Sequence, residues 1–106
     1  MQQMSATELS THLKAVATAP TLLDVREEWE YQTCHLPNSL HIPMNDVPNS
    51  VHQLDQENAV VVICHHGMRS LQVAHYLESI GFENVINLRG GIDAWSREVD
   101  ESVPIY

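Results

Sequence analysis

Seven consecutive residues carry most of the reactive chemistry in this chain: Cys64, His65, His66, Gly67, Met68, Arg69 and Ser70. A cysteine is a nucleophile in its thiolate form, and cationic or amide-rich surroundings favour that form. Arg69 supplies a permanent positive charge in the same stretch. His65 and His66 can donate hydrogen bonds or, when protonated, attract an anion. Gly67 suits a position of positive φ or of close backbone approach. The flanking residues say where the stretch lies. Val60-Val61-Val62-Ile63 is a β-branched run of the kind that forms a buried parallel strand. Leu71, Val73, Ala74, Leu77 and Ile80 mark one apolar face of a helix. Cys64 is thus placed at the carboxyl end of a strand, on a short loop that opens a helix. Open α/β sheets bind ligands at this end, and helix-entry amides with the helix dipole favour an anion there. The plain alternative is a buried structural cysteine at a strand end.

The rest of the chain must position that loop. Ser5-Ala6-Thr7-Glu8 is a capping-box pattern, opening a helix with Leu9, Leu13 and Val16 on one face. Thr21 to Val25 reads as a strand, and Arg26 to Thr33 as a short polar helix with Trp29 as its apolar anchor. Ser39 to Pro43 is a second strand, followed from Asp46 to Leu54 by a short helix with Pro48 in its first turn. Ala59 to Ile63 leads into the cysteine loop, and the next helix runs to Ile80, where Gly81 stops it. Asn84 to Leu88 is another strand, Gly90-Gly91 a flexible turn, and Ile92 to Val99 a last helix with Trp95 buried. Gln2 to Met4 is a candidate edge strand. Strands alternating with helices predict a parallel sheet covered on both faces. The junctions Asp24–Arg26, Cys64–Arg69 and Arg89–Gly91 then fall on one edge of that sheet.

Composition bounds the function. A chain of 106 residues predicts one domain, large enough for a core without disulfide staples. At 43% hydrophobic it is neither disordered nor, lacking any long apolar run, a membrane protein. Met1 to Ser5 has no secretory character, and two cysteines do not read as a disulfide framework, so a reducing, cytoplasmic setting is expected. The net charge of −9 argues against nucleic acid. Arg26, Arg69 and Arg89 lie at or near predicted strand ends, where they could draw a small anion. Arginines scattered on a surface also pair with carboxylates to little effect.

Four segments together resemble the rhodanese family of sulfurtransferases, in its small single-domain form. They are Leu23-Asp24-Val25-Arg26-Glu27 with Trp29-Glu30-Tyr31; His35-Leu36-Pro37-Asn38-Ser39 with Ile42-Pro43; Cys64 to Ser70; and Leu88-Arg89-Gly90-Gly91 with Ala94-Trp95. The resemblance implies one rhodanese domain over residues 1–106, a five-stranded parallel sheet flanked by helices, with the site at the carboxyl ends of the strands. It implies that Cys64 takes sulfane sulfur from a donor such as thiosulfate, holds it as a persulfide, and yields it to a thiophilic acceptor such as cyanide or a thiol. Loop amides from His65 to Ser70 would then favour the thiolate and the anionic persulfide. His65, His66, Gly67, Met68, Arg69 and Ser70 are the substrate-binding candidates, with Arg69 orienting an anionic donor or bracing the loop in an ion pair with an acid such as Asp24. Asp24 and Arg26 are expected to support the strand end.

Related folds acting as dual-specificity phosphatases or arsenate reductases place five residues between cysteine and arginine, whereas four stand between Cys64 and Arg69. The shorter loop suits one sulfur atom better than a tetrahedral oxyanion. Other readings are a sulfur carrier serving a protein donor or acceptor, for example in cofactor or tRNA thiolation, and a non-catalytic binding module. Neither metal nor cofactor is expected, since adjacent histidines without a CxxC pattern do not have metal-ligand spacing. Cys34, where the family often has glycine, could serve as a resolving thiol or simply as a small residue at a turn.

Overall fold

A computed structural model describes residues 1–106. In chain order the elements are β1 (Gln2–Met4), α1 (Ala6–Ala15), β2 (Thr21–Asp24), α2 (Glu28–Thr33), β3 (Leu40–His41), α3 (Val47–Ser50), β4 (Val60–Ile63), α4 (Met68–Ser79), β5 (Val85–Leu88) and α5 (Gly91–Glu98). The five strands form one sheet in the order β1-β5-β4-β2-β3, with every neighbouring pair parallel. Helices flank the sheet on both faces. Asp24 pairs in register with Ile63 and His41, and Met4 with Leu88, so the carboxyl ends lie in a row.

β4 explains the sandwich. Its side chains alternate, and both faces are buried, which is why it is β-branched throughout. Val60, Val62 and Cys64 pack with Val73, Ala74 and Leu77 of α4 and Val47 of α3. Val61 and Ile63 pack with Ala6 and Leu9 of α1 and Ile92 and Trp95 of α5. The capping box forms: Ser5 Oγ accepts from the Glu8 amide at 3.2 Å, and Glu8 accepts from the Ser5 amide at 2.9 Å. No helix is long and apolar enough to cross a membrane.

Three local expectations are corrected. Trp29 is no anchor: it is 62% exposed, and the buried residue of α2 is Glu30, whose carboxylate is fully engaged. The region from Asp46 to Leu54 is not one helix but a 3₁₀ turn (Met44–Asp46), the single turn α3, and a second 3₁₀ turn (Val51–Gln53). Pro48 sits in the first turn, where its missing amide is tolerated, whereas Asn49 and Ser50 are poor helix interior residues and β-branched Val51 follows them, so the helix does not propagate. Gly90-Gly91 is not a flexible turn. Both residues hold positive φ, at +85° and +65°, and Gly91 is the first residue of α5.

Candidate active site

The loop from Cys64 to Gly67 leaves β4 and enters α4 through Gly67, which sits in the left-handed region at φ +99°. A Cβ at that position would lie 3.2 Å from the Gly90 nitrogen and the Leu88 oxygen, so glycine lets the loop press against the β5–α5 junction. Gly91 is tighter still: a Cβ there would lie 2.5 Å from the Cys64 oxygen. The first turn of α5 then takes up the loop carbonyls. The Ile92 amide donates to Cys64 O at 2.9 Å and the Asp93 amide to His65 O at 3.1 Å. With its carbonyls turned toward α5, the loop presents the Gly67 amide to the side chain of Cys64.

Cys64 is buried at 1% exposure, and its sulfur accepts a hydrogen bond from the Gly67 amide at 3.0 Å. Of the loop amides, only this one is within hydrogen-bond distance of the sulfur, a narrower cradle than the sequence reading expects. The thiol donates to Ser70 Oγ at 3.3 Å, and Ser70 donates to Asn87 Oδ1 at 2.5 Å. Asn87 in turn donates to Gln3 Oε1 at 2.8 Å and to Gly67 O at 3.3 Å. Cys64 and Asn87 project from neighbouring parallel strands onto the face that α4 covers, which is why residues far apart in sequence meet here.

A chain of charges runs beside the loop. Arg26 is fully buried, with Nε 2.9 Å and Nη2 2.7 Å from the Asp24 carboxylate, and Nη2 2.6 Å from Cys34 O. Burial disfavours its charge, but the hydrogen bonds it donates to Asp24 and to Tyr106 outweigh that and hold Arg26 above the usual arginine range. Arg69 makes a bidentate pair with Glu30, at 2.7 and 3.0 Å. Arg69 above all, opposed by burial and aided by Tyr106, draws Glu30 down to about 2. The acid that Arg69 pairs with is thus Glu30 and not Asp24, whose partner is Arg26.

The remaining loop residues separate. His65 packs edge-on against His66 and Tyr106, and its Nδ1 is buried with no partner. Burial first, and then the neighbouring His66, lower its pKa, favouring the neutral ring. His66 stands largely in solvent, 3.9 Å from Asp93. The candidate ligand atoms of His65, His66 and Asp93 lie within 4.8 Å of one another, but Arg97 already holds Asp93 at 3.1 Å. Met68 is 70% exposed, and Arg89 lies apart on Glu8. Cys34 is buried on the α5 face, across the sheet from the Cys64 side chain.

Sequence reasoning missed four residues. Asn87 had a signal, as the one polar side chain inside a fully buried strand. Glu30 stood in a recognised motif without a role. The second glycine of Gly90-Gly91 was read as flexibility where close approach required it. Tyr106 carried no signal at all.

The rhodanese-like domain family matches residues 5–98. A putative sulfurtransferase of Bacillus subtilis, YtwF, is 43% identical over 77 residues, covering 73% of this chain and 74% of that protein. The adenylyltransferase and sulfurtransferase uba4 of Ogataea parapolymorpha is 40% identical over 89 residues, or 83% of this chain, but the match spans only 23% of that longer protein. The crystal structure of a rhodanese-like domain protein from Staphylococcus aureus superposes with a TM-score of 0.85 at 29% identity, covering 100% of this chain and 99% of its own. The loop, the sheet order and these matches agree: the chain belongs to the rhodanese-like domain family.

Proposed function

We propose that residues 1–106 act as one rhodanese domain and that Cys64 is its sulfur-accepting nucleophile. The thiolate attacks the outer sulfur of a donor such as thiosulfate; the donor's S–S bond breaks, and sulfite leaves with the bonding electron pair. Cys64 then carries an anionic persulfide. A thiophilic acceptor such as cyanide attacks the outer sulfur, takes it as thiocyanate and returns the thiolate. No net oxidant is required.

The observation that carries this reading is the environment of the sulfur. It accepts the Gly67 amide at the entrance of α4, and Ser70 can turn its proton from Asn87 toward the sulfur once the thiol ionises. Both donors are within reach of the sulfur of a residue that is otherwise sealed from water. A persulfide extends the reactive atom by about 2 Å from the buried Cys64 sulfur. His65, His66, Met68 and Arg69 are the substrate-facing candidates beside the sulfur, and Asp24 with Arg26 are the structural support of the neighbouring strand end.

A second reading keeps the same persulfide but has a protein supply or receive the sulfur. The name of the Ogataea relative couples sulfurtransferase with adenylyltransferase in a longer chain, which supports it. Intact mass after incubation with excess thiosulfate tests the proposal. One added sulfur, removed by cyanide or dithiothreitol and absent in Cys64→Ala, is the expected result. Turnover near wild type in Cys64→Ala would sink it. No uptake from thiosulfate, with uptake from a desulfurase, would favour the carrier reading.

A further inference from the structure

Tyr106 lies outside the family-matched segment 5–98, yet its side chain reaches back into the charge chain beside the Cys64 loop. Its hydroxyl donates to Glu30 Oε2 at 2.6 Å and accepts from Arg26 Nη1 at 2.9 Å. Its ring stands edge-on to His65 at 4.3 Å and to Trp29 at 5.8 Å. The consequence falls on Glu30. Oε1 accepts from Arg69 Nη1 at 2.7 Å and from the Glu27 amide at 3.0 Å, and Oε2 from Arg69 Nη2 at 3.0 Å and from Tyr106. A carboxylate has about four acceptor sites, so this one is saturated. Arg69 is held on it by a bidentate pair.

The other arginines also have acidic partners, Arg26 with Asp24 in a buried pair, and Arg89 with Glu8 and Arg97 with Asp93 at the surface. His65 is packed between His66 and Tyr106. An incoming dianion therefore meets a mouth with no uncompensated arginine, on a chain of net charge −9. A donor that carries less charge escapes that repulsion.

Resting on the reading of Cys64 as the sulfur acceptor, we propose that Tyr106 is a specificity-determining residue. By holding Glu30 on Arg69, its hydroxyl withholds that guanidinium from anionic donors and biases the enzyme toward sulfane-sulfur donors of low negative charge. Tyr106→Phe keeps the ring and its packing and removes only the hydroxyl. Glu30 then loses one of its four donors, and Arg69 gains freedom to swing toward the mouth.

The test compares kcat/KM for thiosulfate, a dianion, with that for a monoanionic alkanethiosulfonate, both with cyanide as acceptor and over a range of ionic strength. In Tyr106→Phe the thiosulfate to thiosulfonate ratio rises roughly 2- to 10-fold, the scale of one hydrogen bond, and the change lies in KM. Glu30→Gln moves the ratio in the same direction, and Arg69→Ala, which bares the Glu30 carboxylate, moves it the other way. Added salt shrinks all three differences. A ratio unchanged in Tyr106→Phe, or equal losses for both donors, would make Tyr106 a structural residue only and overturn the proposal. Persulfide mass on Cys64 is read in parallel. If the wild type takes up sulfur from neither donor, it is the reading of Cys64 that fails, and this inference falls with it.

Discussion

Gly91 lies against the backbone of His65 so closely that a Cβ on it would overlap the His65 carbonyl oxygen. The contact joins the first residue of α5 to the loop that carries Cys64, and it sets the loop's direction. Because the two chains meet backbone to backbone, the α5 amides of Ile92 and Asp93 reach the carbonyls of Cys64 and His65. A second requirement coincides with the first, since Gly91 holds φ +65°, a conformation that costs other residues about 1 kcal/mol or more. Gly91→Ala is therefore expected to push the loop away from α5. Persulfide formation on Cys64 falls at least ~10-fold and stability drops by about 2–4 kcal/mol. Mass-detected sulfur uptake and a urea melt check this, and a variant with wild-type loading would show that the contact yields without consequence.

Ser70 links the sulfur to Asn87, which is itself 1% exposed. Ser70→Ala leaves Asn87 Oδ1 without its donor and the sulfur without a hydroxyl. The buried, unpaired acceptor is expected to cost about 1–3 kcal/mol. Alkylation of Cys64 by iodoacetamide at neutral pH should slow severalfold as the thiolate loses a donor. An unchanged alkylation rate would remove Ser70 from the reactive network and leave it a packing residue.

Glu30 makes a prediction in pH. Its carboxyl lies near 2 in the folded protein against an ordinary value of 4.5. Between those values the unfolded chain binds more protons than the folded one, so stability rises with pH across the window. The contribution is complete above about pH 4.5 and is lost as pH falls toward about 2. Discounted for the partial exposure of Arg69, it amounts to about 1–2 kcal/mol. Urea midpoints measured from about pH 6 down to about pH 2.5 should decline more steeply for the wild type than for Glu30→Gln. Parallel curves would assign the acid sensitivity to other carboxylates.

Arg26 is a structural cation whose geometry a lysine cannot match. Its guanidinium reaches Asp24, the carbonyls of Glu30 and Cys34, and the hydroxyl of Tyr106 while fully buried. Lysine has a compact ammonium head with three donors. Arg26→Lys is expected to destabilise the fold by about 3 kcal/mol or more, because several buried acceptors are stranded at once. A loss below about 1 kcal/mol would mean that the pocket rehydrates.

Several things about this protein were legible in the chain alone. The β-branched run ending at Cys64, the amphipathic helix after it and the order of strands and helices are local patterns, and they determined the wound parallel sheet and the loop's place at its carboxyl edge. The flexibility read into Gly90-Gly91 and the anchor role read into Trp29 failed for one reason. Both depend on what faces the residue from elsewhere in the fold, and neither period nor propensity carries that information. The partners of the site were settled only in three dimensions. Arg69 took Glu30 instead of Asp24 because the first turn of α4 faces Glu30 of α2, while Asp24 is already held by Arg26. Asn87 met Ser70 because β4 and β5 are adjacent in parallel register. Tyr106 entered the site from a position that no motif marked. Hydrogen bonds between distant side chains are decided by topology and packing, and so the sequence determined the nucleophile and its frame while the tertiary structure decided which charges surround it.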